Sequence, residues 1–230
     1  MRNLRNSLSV ILTIWLMMIS ATSFAGVWED GFDDGNADDW NEAEGDWEVK
    51  DGVYEQTIMD AAYQKSMLEL DNLTDYTVEV DITILEGGAG STSVAAGVLL
   101  RGTDDGSSGY RFWIRDDTNG FQFSTWQDNA YTNVLGEPAE RATAGETYRL
   151  KVQLEGFEFS AWVDDRLMFE EHVEQGKLFT SGQVGFINYN CHVQYDNLTI
   201  DGPNVTTNIA VAPAGKLAVA WGTIKISKAN

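Results

Sequence analysis

The sequence contains few proline, histidine and cysteine residues. Its 230 residues include three prolines, two histidines and one cysteine, Cys191. A single cysteine excludes a disulfide framework within one chain, so the fold depends on the core that a chain of this length can bury. The same scarcity of cysteine and histidine excludes a zinc site built from sulfur and nitrogen ligands.

Basic residues are scarce as well. The chain has 15 Lys and Arg against 36 Asp and Glu, a formal net charge of −21. This acidity argues against binding to the phosphates of nucleic acids, which needs a basic face, and against docking on anionic membranes. It is compatible with calcium, with cationic partners and with neutral ligands such as sugars.

A long apolar run occurs at residues 8–19, after Arg2 and Arg5 and before the small residues Ser23 and Ala25. This order is typical of a secretory signal peptide over residues 1–25. The run is shorter than the about 20 residues that a membrane-spanning helix needs. The sequence therefore predicts a secreted or periplasmic protein, exported through a cleaved signal peptide and without a membrane span.

Alternation of polar and apolar residues dominates the chain after the signal peptide. Residues 77–84 (TVEVDITI) alternate strictly, which is typical of a strand with one wet and one dry face. Asp51-Gly52, Glu155-Gly156 and Asp164-Asp165 each separate two such segments and predict tight hairpins. Further strands are predicted at residues 63–70, 94–101, 110–115, 121–126, 131–135, 183–188 and 192–200.

So many short strands predict an all-β fold, a jelly-roll sandwich of two antiparallel sheets. Pro203 follows the last of these strands, and the composition then changes to small apolar residues with three lysines. We therefore expect a jelly-roll domain at residues 26–203 and a C-terminal tail at 204–230. Within the tail, residues 217–226 either add an edge strand or stay loose.

Four parts of the chain resemble the concanavalin-A-like jelly-roll superfamily. They are the opening segments 30–40 and 45–54, the strand pair 96–101 and 109–112, and the closing segment 195–198. The superfamily includes laminin-G-like modules, legume lectins, family-sixteen glycoside hydrolases and the 3-keto-disaccharide hydrolase domain. The resemblance implies the fold, and often sugar or calcium binding, without one activity.

Two carboxylates resemble part of a catalytic signature. Glu79 and Asp81 begin like the Glu-Asp-Glu strand of family-sixteen glycoside hydrolases, but the second Glu is missing and Glu86 comes too late. We interpret the pair as the solvated face of a half-buried strand, with sugar hydrolysis as the alternative. Cys191 and His192 are neighbours on a predicted strand, so they point to opposite faces and do not pair as nucleophile and base.

Three aspartates predict a structural calcium ion. The resemblance implies a site that ties the first strand or loop, with Asp30 and Asp34, to the last strand, with Asp196. A divalent cation would relieve repulsion among carboxylates in so acidic a protein. The alternative is that these side chains cap turns by bonding to their own backbone.

Candidate ligand-binding residues concentrate between residues 101 and 126. Sugars stack their apolar faces on aromatic rings and form hydrogen bonds with charged and amide groups. The predicted binding residues are Arg101, Tyr110, Arg111, Trp113 and Trp126. Alternation places Arg111, Trp113 and Arg115 on one face of a strand and residues 110, 112 and 114 on the other. The alternative for the two tryptophans is an ordinary, partly buried packing role.

The sequence as a whole predicts an exported jelly-roll module that binds carbohydrate and does not bind nucleic acid. Two alternatives remain at this point. One is a glycoside-active enzyme of the 3-keto-disaccharide hydrolase type, acting on a sugar held by one sheet. The other is an extracellular adhesion or scaffold module that binds protein.

Overall fold

The structure, a computed structural model, describes residues 26–89, 93–117, 120–136, 140–173 and 176–208. The predicted signal peptide at 1–25 and the candidate edge strand at 217–226 lie outside these residues. The described part of the chain forms strands and turns without a helix, so it holds no helix that is long and apolar enough to cross a membrane.

Fifteen strands follow one another along the described chain. They are β1 (Gly26–Asp30), β2 (Trp40–Glu44), β3 (Trp47–Lys50), β4 (Val53–Gln56), β5 (Tyr63–Leu68), β6 (Tyr76–Gly87), β7 (Ala95–Gly102), β8 (Gly109–Arg115), β9 (Gln122–Gln127), β10 (Ala130–Gly136), β11 (Thr147–Glu155), β12 (Glu158–Val163), β13 (Arg166–Val173), β14 (Gln183–Tyr189) and β15 (Cys191–Gly202).

The strands form two antiparallel sheets. The first has eight strands in the order β13-β12-β11-β6-β15-β4-β3, with β1 also paired to β15. The second has seven, in the order β10-β9-β8-β7-β14-β5-β2. The predicted all-β sandwich of two antiparallel sheets is therefore confirmed.

Tight two-residue turns close three of the hairpins. Both residues have positive φ in the turns Asp51-Gly52 (53° and 81°), Asp128-Asn129 (50° and 62°) and Asp164-Asp165 (51° and 61°). Asp, Asn and Gly tolerate this left-handed backbone, which matches the twist of the flanking strands. The hairpin predicted at Glu155-Gly156 also forms, with its loop one residue later, because Glu155 itself pairs with Glu158.

The last strand holds the first sheet together. Along one side β15 pairs with β6. On its other side it pairs with β4 from Val193 to Tyr195 and with β1 from Leu198 to Gly202. Asn197 has a φ of 51° at an irregularity in the pairing with β6. Strands from the beginning, middle and end of the domain thus meet at one place.

Aromatic rings join the two sheets across the core. The ring of Phe186, on β14 of the second sheet, stacks on Tyr195, on β15 of the first, with centroids 4.1 Å apart and planes 8° apart. Trp40 stacks on the same phenylalanine from β2 at 4.5 Å. All three side chains are buried. Stacked aromatic pairs contribute beyond the area that they bury, so this group fixes one sheet against the other.

The outer face of the second sheet is buried too. Met67, Leu99, Trp126 and Ile187 form a small apolar cluster there, separate from the main core. The central strands of this sheet therefore have buried residues along almost their whole length. A sheet with one solvated face would show alternating exposure instead, so this outer face already has the packing of an interior.

We expect Phe186→Ala to lower the free energy of unfolding by about 3–5 kcal/mol, because it leaves a cavity between the sheets. Urea denaturation followed by tryptophan fluorescence measures this change. Leu167→Ala is the control, since that side chain is 47% exposed and its loss should change stability by less than about 0.5 kcal/mol. Equal effects of the two variants would contradict the role of the aromatic stack.

Candidate functional site

Strand β8 presents one set of side chains to the core and another to the outer face of the second sheet. Tyr110 and Phe112 belong to the main core. Arg111, Trp113 and Arg115 project from the opposite face, as the alternation along this strand predicts. A recess lies on this outer face, and Trp113 and Arg115 belong to its walls.

The recess has a volume of about 270 Å³. Side chains from five strands and from the segment before β7 form its walls. The lining residues are Tyr63, Ser93, Trp113, Arg115, Gln122, Tyr131, Val134 and Tyr189. The volume lies a little below the range of about 300–1,000 Å³ for drug-sized ligands, and the mixture of aromatic rings and a few polar groups is that of a ligand site.

Aromatic rings from different strands meet in the recess. Tyr63, on β5, lies 6.2 Å from Trp113, 4.6 Å from Trp126 and 5.1 Å from Tyr189, measured between ring centroids. Tyr131, on the edge strand β10, is 58% exposed at the rim. The three tyrosines were not among the predicted site residues. They come from β5, β10 and β14, which lie two or three strands away from β8 in the sheet order.

Arg111 lies fully buried behind the recess. Its guanidinium carbon is 3.4 Å from the ring centroid of Trp113 and 4.9 Å from that of Trp126. Its Nη2 group donates hydrogen bonds to Gln122 Oε1 (3.1 Å) and Ser124 Oγ (3.0 Å). The cation is therefore held by aromatic faces and neutral acceptors.

Within the described residues, several donors of this face have no hydrogen-bond partner. They are Nε and Nη1 of Arg111, Nε1 of Trp113 and Nε of Arg115, all buried. Burial lowers the pKa of Arg111 to about 9, and the nearby Tyr63 hydroxyl offsets part of this decrease. Neither Nε nor Nη1 forms a hydrogen bond with that hydroxyl. The guanidinium thus stays protonated at neutral pH with two of its donor groups unused.

Arg115 stands at the edge of the recess in an ion pair. Its Nη2 group pairs with Asp117 and donates to Ser93 Oγ at 3.2 Å. The Ser93 hydroxyl in turn donates to Asp117 at 2.7 Å. These contacts hold the guanidinium in place at the wall of the recess.

Two of the five predicted binding residues lie away from the recess, and the first is Arg101. Its backbone has a φ of 48°, and it lies near a shift in the pairing of β7 with β14. Its side chain donates to the Thr74 carbonyl from Nε (2.9 Å) and Nη2 (2.7 Å), and to the Phe179 carbonyl from Nη1 (3.1 Å). Arg101 therefore fastens loops of the sandwich and does not meet Arg111 or Trp113.

Tyr110 is the second residue that the structure separates from the recess. Its ring packs in the core against Phe159, with centroids 4.9 Å apart. Its hydroxyl accepts a hydrogen bond from the backbone N–H of Phe179 at 3.2 Å. The structure therefore brings together Arg111, Trp113 and Trp126, and gives Arg101 and Tyr110 structural roles.

The carboxylates Glu79 and Asp81 lie on the outer face of the first sheet, in a network of ion pairs. Arg149 donates to Glu79 Oε2 (3.2 Å) and Asp81 Oδ1 (2.9 Å), and Lys151 lies 3.0 Å from Glu79 Oε1. Partial burial favours protonation of Glu79, but Lys151 and Arg149 outweigh it and lower the pKa. A general acid needs a raised pKa, so this geometry supports a solvated, charge-paired face.

The three aspartates of the predicted calcium site already have donors within the protein. Asp30 accepts from the Phe32 backbone N–H (2.9 Å) and from Trp40 Nε1 (3.0 Å). Asp34 accepts a hydrogen bond from the backbone N–H of Asn36, and Asp196 accepts one from the Asn197 N–H at 2.7 Å. Among the described residues, no three His, Cys, Asp or Glu side chains converge to hold a metal ion. Asp30 and Asp34 cap turns, Asp196 bonds to the backbone within β15, and a calcium ion at them stays a prediction.

Cys191 and His192 point to opposite sides of the first sheet. Cys191 is buried and its Sγ donates to the Ala95 carbonyl at 3.4 Å. His192 lies on the outer face, where Nε2 is 3.3 Å from Glu55 Oε2. The two side chains therefore do not form a nucleophile and base pair.

The two-sheet sandwich, with a lined recess on the outer face of one sheet, is a jelly roll of the concanavalin-A-like class. Within this class, the model of the 3-keto-alpha-glucoside-1,2-lyase-like domain matches residues 27–201. The chain belongs to this family. The match spans every strand from β1 to β15.

Solved structures share the fold at low sequence identity. The carbohydrate binding module CBM66 from Bacillus subtilis has a TM-score of 0.63 and 22% identity, over 71% of this chain and 96% of that one. The beta-glucanase of Bacillus licheniformis has a TM-score of 0.54 and 12% identity, over 76% and 97%. A putative glycosyl hydrolase from Parabacteroides distasonis has 0.51 and 15%, over 75% and 93%. No curated protein matches the sequence.

We expect the Cys191 thiol to be inert in the folded protein. Burial raises its pKa to about 12, so almost no thiolate exists at pH 8. Ellman's reagent should release no chromophore from the native protein and one equivalent after unfolding in guanidinium chloride. Stoichiometric reaction of the native protein would contradict the packing of this residue.

The calcium prediction has a direct thermal test. An ion that joins Asp30 and Asp34 to Asp196 binds only the folded state and therefore raises the unfolding temperature. The expected result of such a site is a lower unfolding temperature in chelator than in calcium. Equal unfolding temperatures in the two buffers would remove the prediction.

Proposed function

We propose that the protein binds carbohydrate in the recess on the outer face of the second sheet. The observation that carries the proposal is the meeting of Tyr63, Trp113, Tyr131 and Tyr189 with polar groups of Gln122 and its neighbours around one space. Aromatic faces stack on the C–H faces of sugar rings, and the polar groups bond to hydroxyls.

The rim offers a surface that a sugar can cover. Tyr131 and Val134 are exposed large hydrophobic side chains on the edge strand β10. An exposed aromatic ring beside a recess loses its contact with water when a sugar stacks on it. This arrangement supports binding of a chain of sugars that extends from the recess across β10.

The comparisons support the same class of ligand. The family name refers to a glucoside, and the titles of the structural neighbours refer to carbohydrate binding and to glucan hydrolysis. The proposal includes export, for which the support is the predicted signal peptide at residues 1–25. An exported protein meets polysaccharides outside the cytoplasm.

Lyase activity on a 3-keto glucoside is the second candidate, because the chain belongs to a family with that name. Such a reaction needs a side chain that takes a proton from the substrate. The described lining of the recess contains tyrosines and Arg115 but no histidine, and Asp117 beside it is ion-paired. Tyrosine can also take a proton, so the lining is compatible with this reaction, and binding comes first because the aromatic walls support it.

The two candidates are separated by incubating the protein with 3-keto disaccharides and measuring the products by mass spectrometry. Release of sugar products at a rate that falls in a recess variant would favour the enzyme. Binding without products would favour the module. Failure to bind any glycan would instead favour the third alternative, an adhesion or scaffold module for protein.

We expect Tyr131→Ala to weaken glycan binding about fivefold to tenfold, because it removes an aromatic face from the rim. Stability should stay within about 0.5 kcal/mol, since the side chain is largely exposed. A glycan array in calcium and in chelator identifies the ligand, and isothermal titration calorimetry then measures its affinity.

Trp162→Ala is the matched control for this variant. Trp162 is a partly buried aromatic residue on the outer face of the first sheet, with Lys151 5.7 Å from its ring. Its loss should leave the affinity unchanged. A larger loss of affinity in Trp162→Ala than in Tyr131→Ala would move the site to the other sheet.

A further inference from the structure

The unused polar atoms on the recess side of β8 are all hydrogen-bond donors. They are Nε and Nη1 of Arg111, Nε1 of Trp113 and Nε of Arg115. These residues alternate along one strand, so their side chains leave the same face. Buried donors without partners are costly. Trp113 and Arg115 line the recess, so a ligand there that supplies acceptors, rather than further donors, would remove part of this cost.

The positive charge on this face also lacks a full counter-charge. Among the described residues, Arg111 forms no ion pair, and its acceptors Gln122 and Ser124 are neutral. The aromatic rings of Trp113 and Trp126 offset only part of the lost hydration. A buried charge without an opposite charge is strongly unfavourable, so a bound anion near this face would be stabilised.

The walls of the recess contrast with the rest of the molecule. The chain carries 36 Asp and Glu, yet none is among the described residues that line this space. Asp117, beside the wall, is paired with Arg115 and so cancels only that one charge. The described surroundings therefore carry the net positive charge of Arg111, on a protein that is otherwise strongly acidic.

We infer that the recess selects sugars that carry a carboxylate, such as uronic acid residues. This inference rests on the proposed function and names the class of sugar. Arg115 contacts the carboxylate from the wall, and Arg111 supplies the buried charge behind Trp113. A carboxylate is an acceptor only, and it forms the stronger, charge-assisted hydrogen bonds with guanidinium groups.

A neutral sugar fits the same face less well. Its hydroxyl groups accept hydrogen bonds, but each one also carries a donor hydrogen that finds no use at a wall whose unused atoms are donors. It also brings no charge to balance Arg111. Aromatic stacking alone does not distinguish the two kinds of sugar, because it depends on the C–H faces of the ring. The selectivity therefore comes from the carboxylate.

The test compares sugars that differ only in this group. Oligomers of galacturonate, glucuronate and mannuronate are each titrated into the full mature protein beside their methyl esters, by isothermal titration calorimetry. We expect at least one acid to bind about tenfold or more tightly than its ester. The preference should shrink as salt rises, because screening weakens charge interactions.

The outcomes separate the inference from the proposed function. Equal affinity of acids and esters, or binding of neutral glycans alone, would overturn the inference and leave carbohydrate binding in place. No binding of any acid, ester or neutral glycan would overturn both. A tenfold preference that is insensitive to variants of the recess would place the acid site elsewhere and overturn the inference.

Variants of Arg115 test whether the preference for acids over esters arises at this residue. Arg115→Gln should bring the ratio of acid to ester affinity close to one, and the double variant Arg115→Gln/Asp117→Asn should do the same with the local net charge unchanged. Arg149→Gln is the control, since it removes one positive charge from the outer face of the other sheet and should leave the ratio intact. An unchanged ratio in the double variant would overturn the contact assigned to Arg115.

Discussion

The burial of both faces of the second sheet is the constraint on which the sandwich and the recess both depend. Phe112 packs into the core, while its neighbours Arg111 and Trp113 are buried on the opposite side. Because successive residues of a strand leave opposite faces, core and recess share one backbone. Gly97 lies beneath Trp113, where an added Cβ would be 2.4 Å from the tryptophan Cα. The shape of the recess is thus set by the close packing of the core.

Local patterns in the sequence predict most of the strands and the face of β8 that lines the recess. The alternation in β8 correctly separates Trp113 from Phe112, since it depends on backbone geometry alone. The contribution of Tyr63 and Tyr189 could not be predicted, because their strands reach β8 only through the order of the whole sheet. Arg101 lies apart from the recess for a local reason. A left-handed backbone at that residue turns its side chain away from the face that alternation assigns to it.

The same limit applies to the carboxylates. A pair such as Glu79 and Asp81 has the same spacing whether it is catalytic or structural. The structural role follows from Arg149 and Lys151 on β11, which the register of the first sheet places opposite these two carboxylates. Pairing partners about seventy positions away are invisible to a motif but lower the pKa of Glu79. In this chain, tertiary pairing converts an apparent signature into a salt-bridged surface.

The central position of β15 has a consequence for the order in which the chain becomes ordered. Until Gly202 exists, β1, β4 and β6 lack the strand that lies between them, so a nascent chain on the ribosome carries three unpaired strand edges. Loop closure over almost the whole domain must precede the pairing of Gly26 with Gly202, and such non-local topology makes folding slow. The first sheet is therefore completed only after its last strand has been made, and until then its open edges are exposed to non-native pairing.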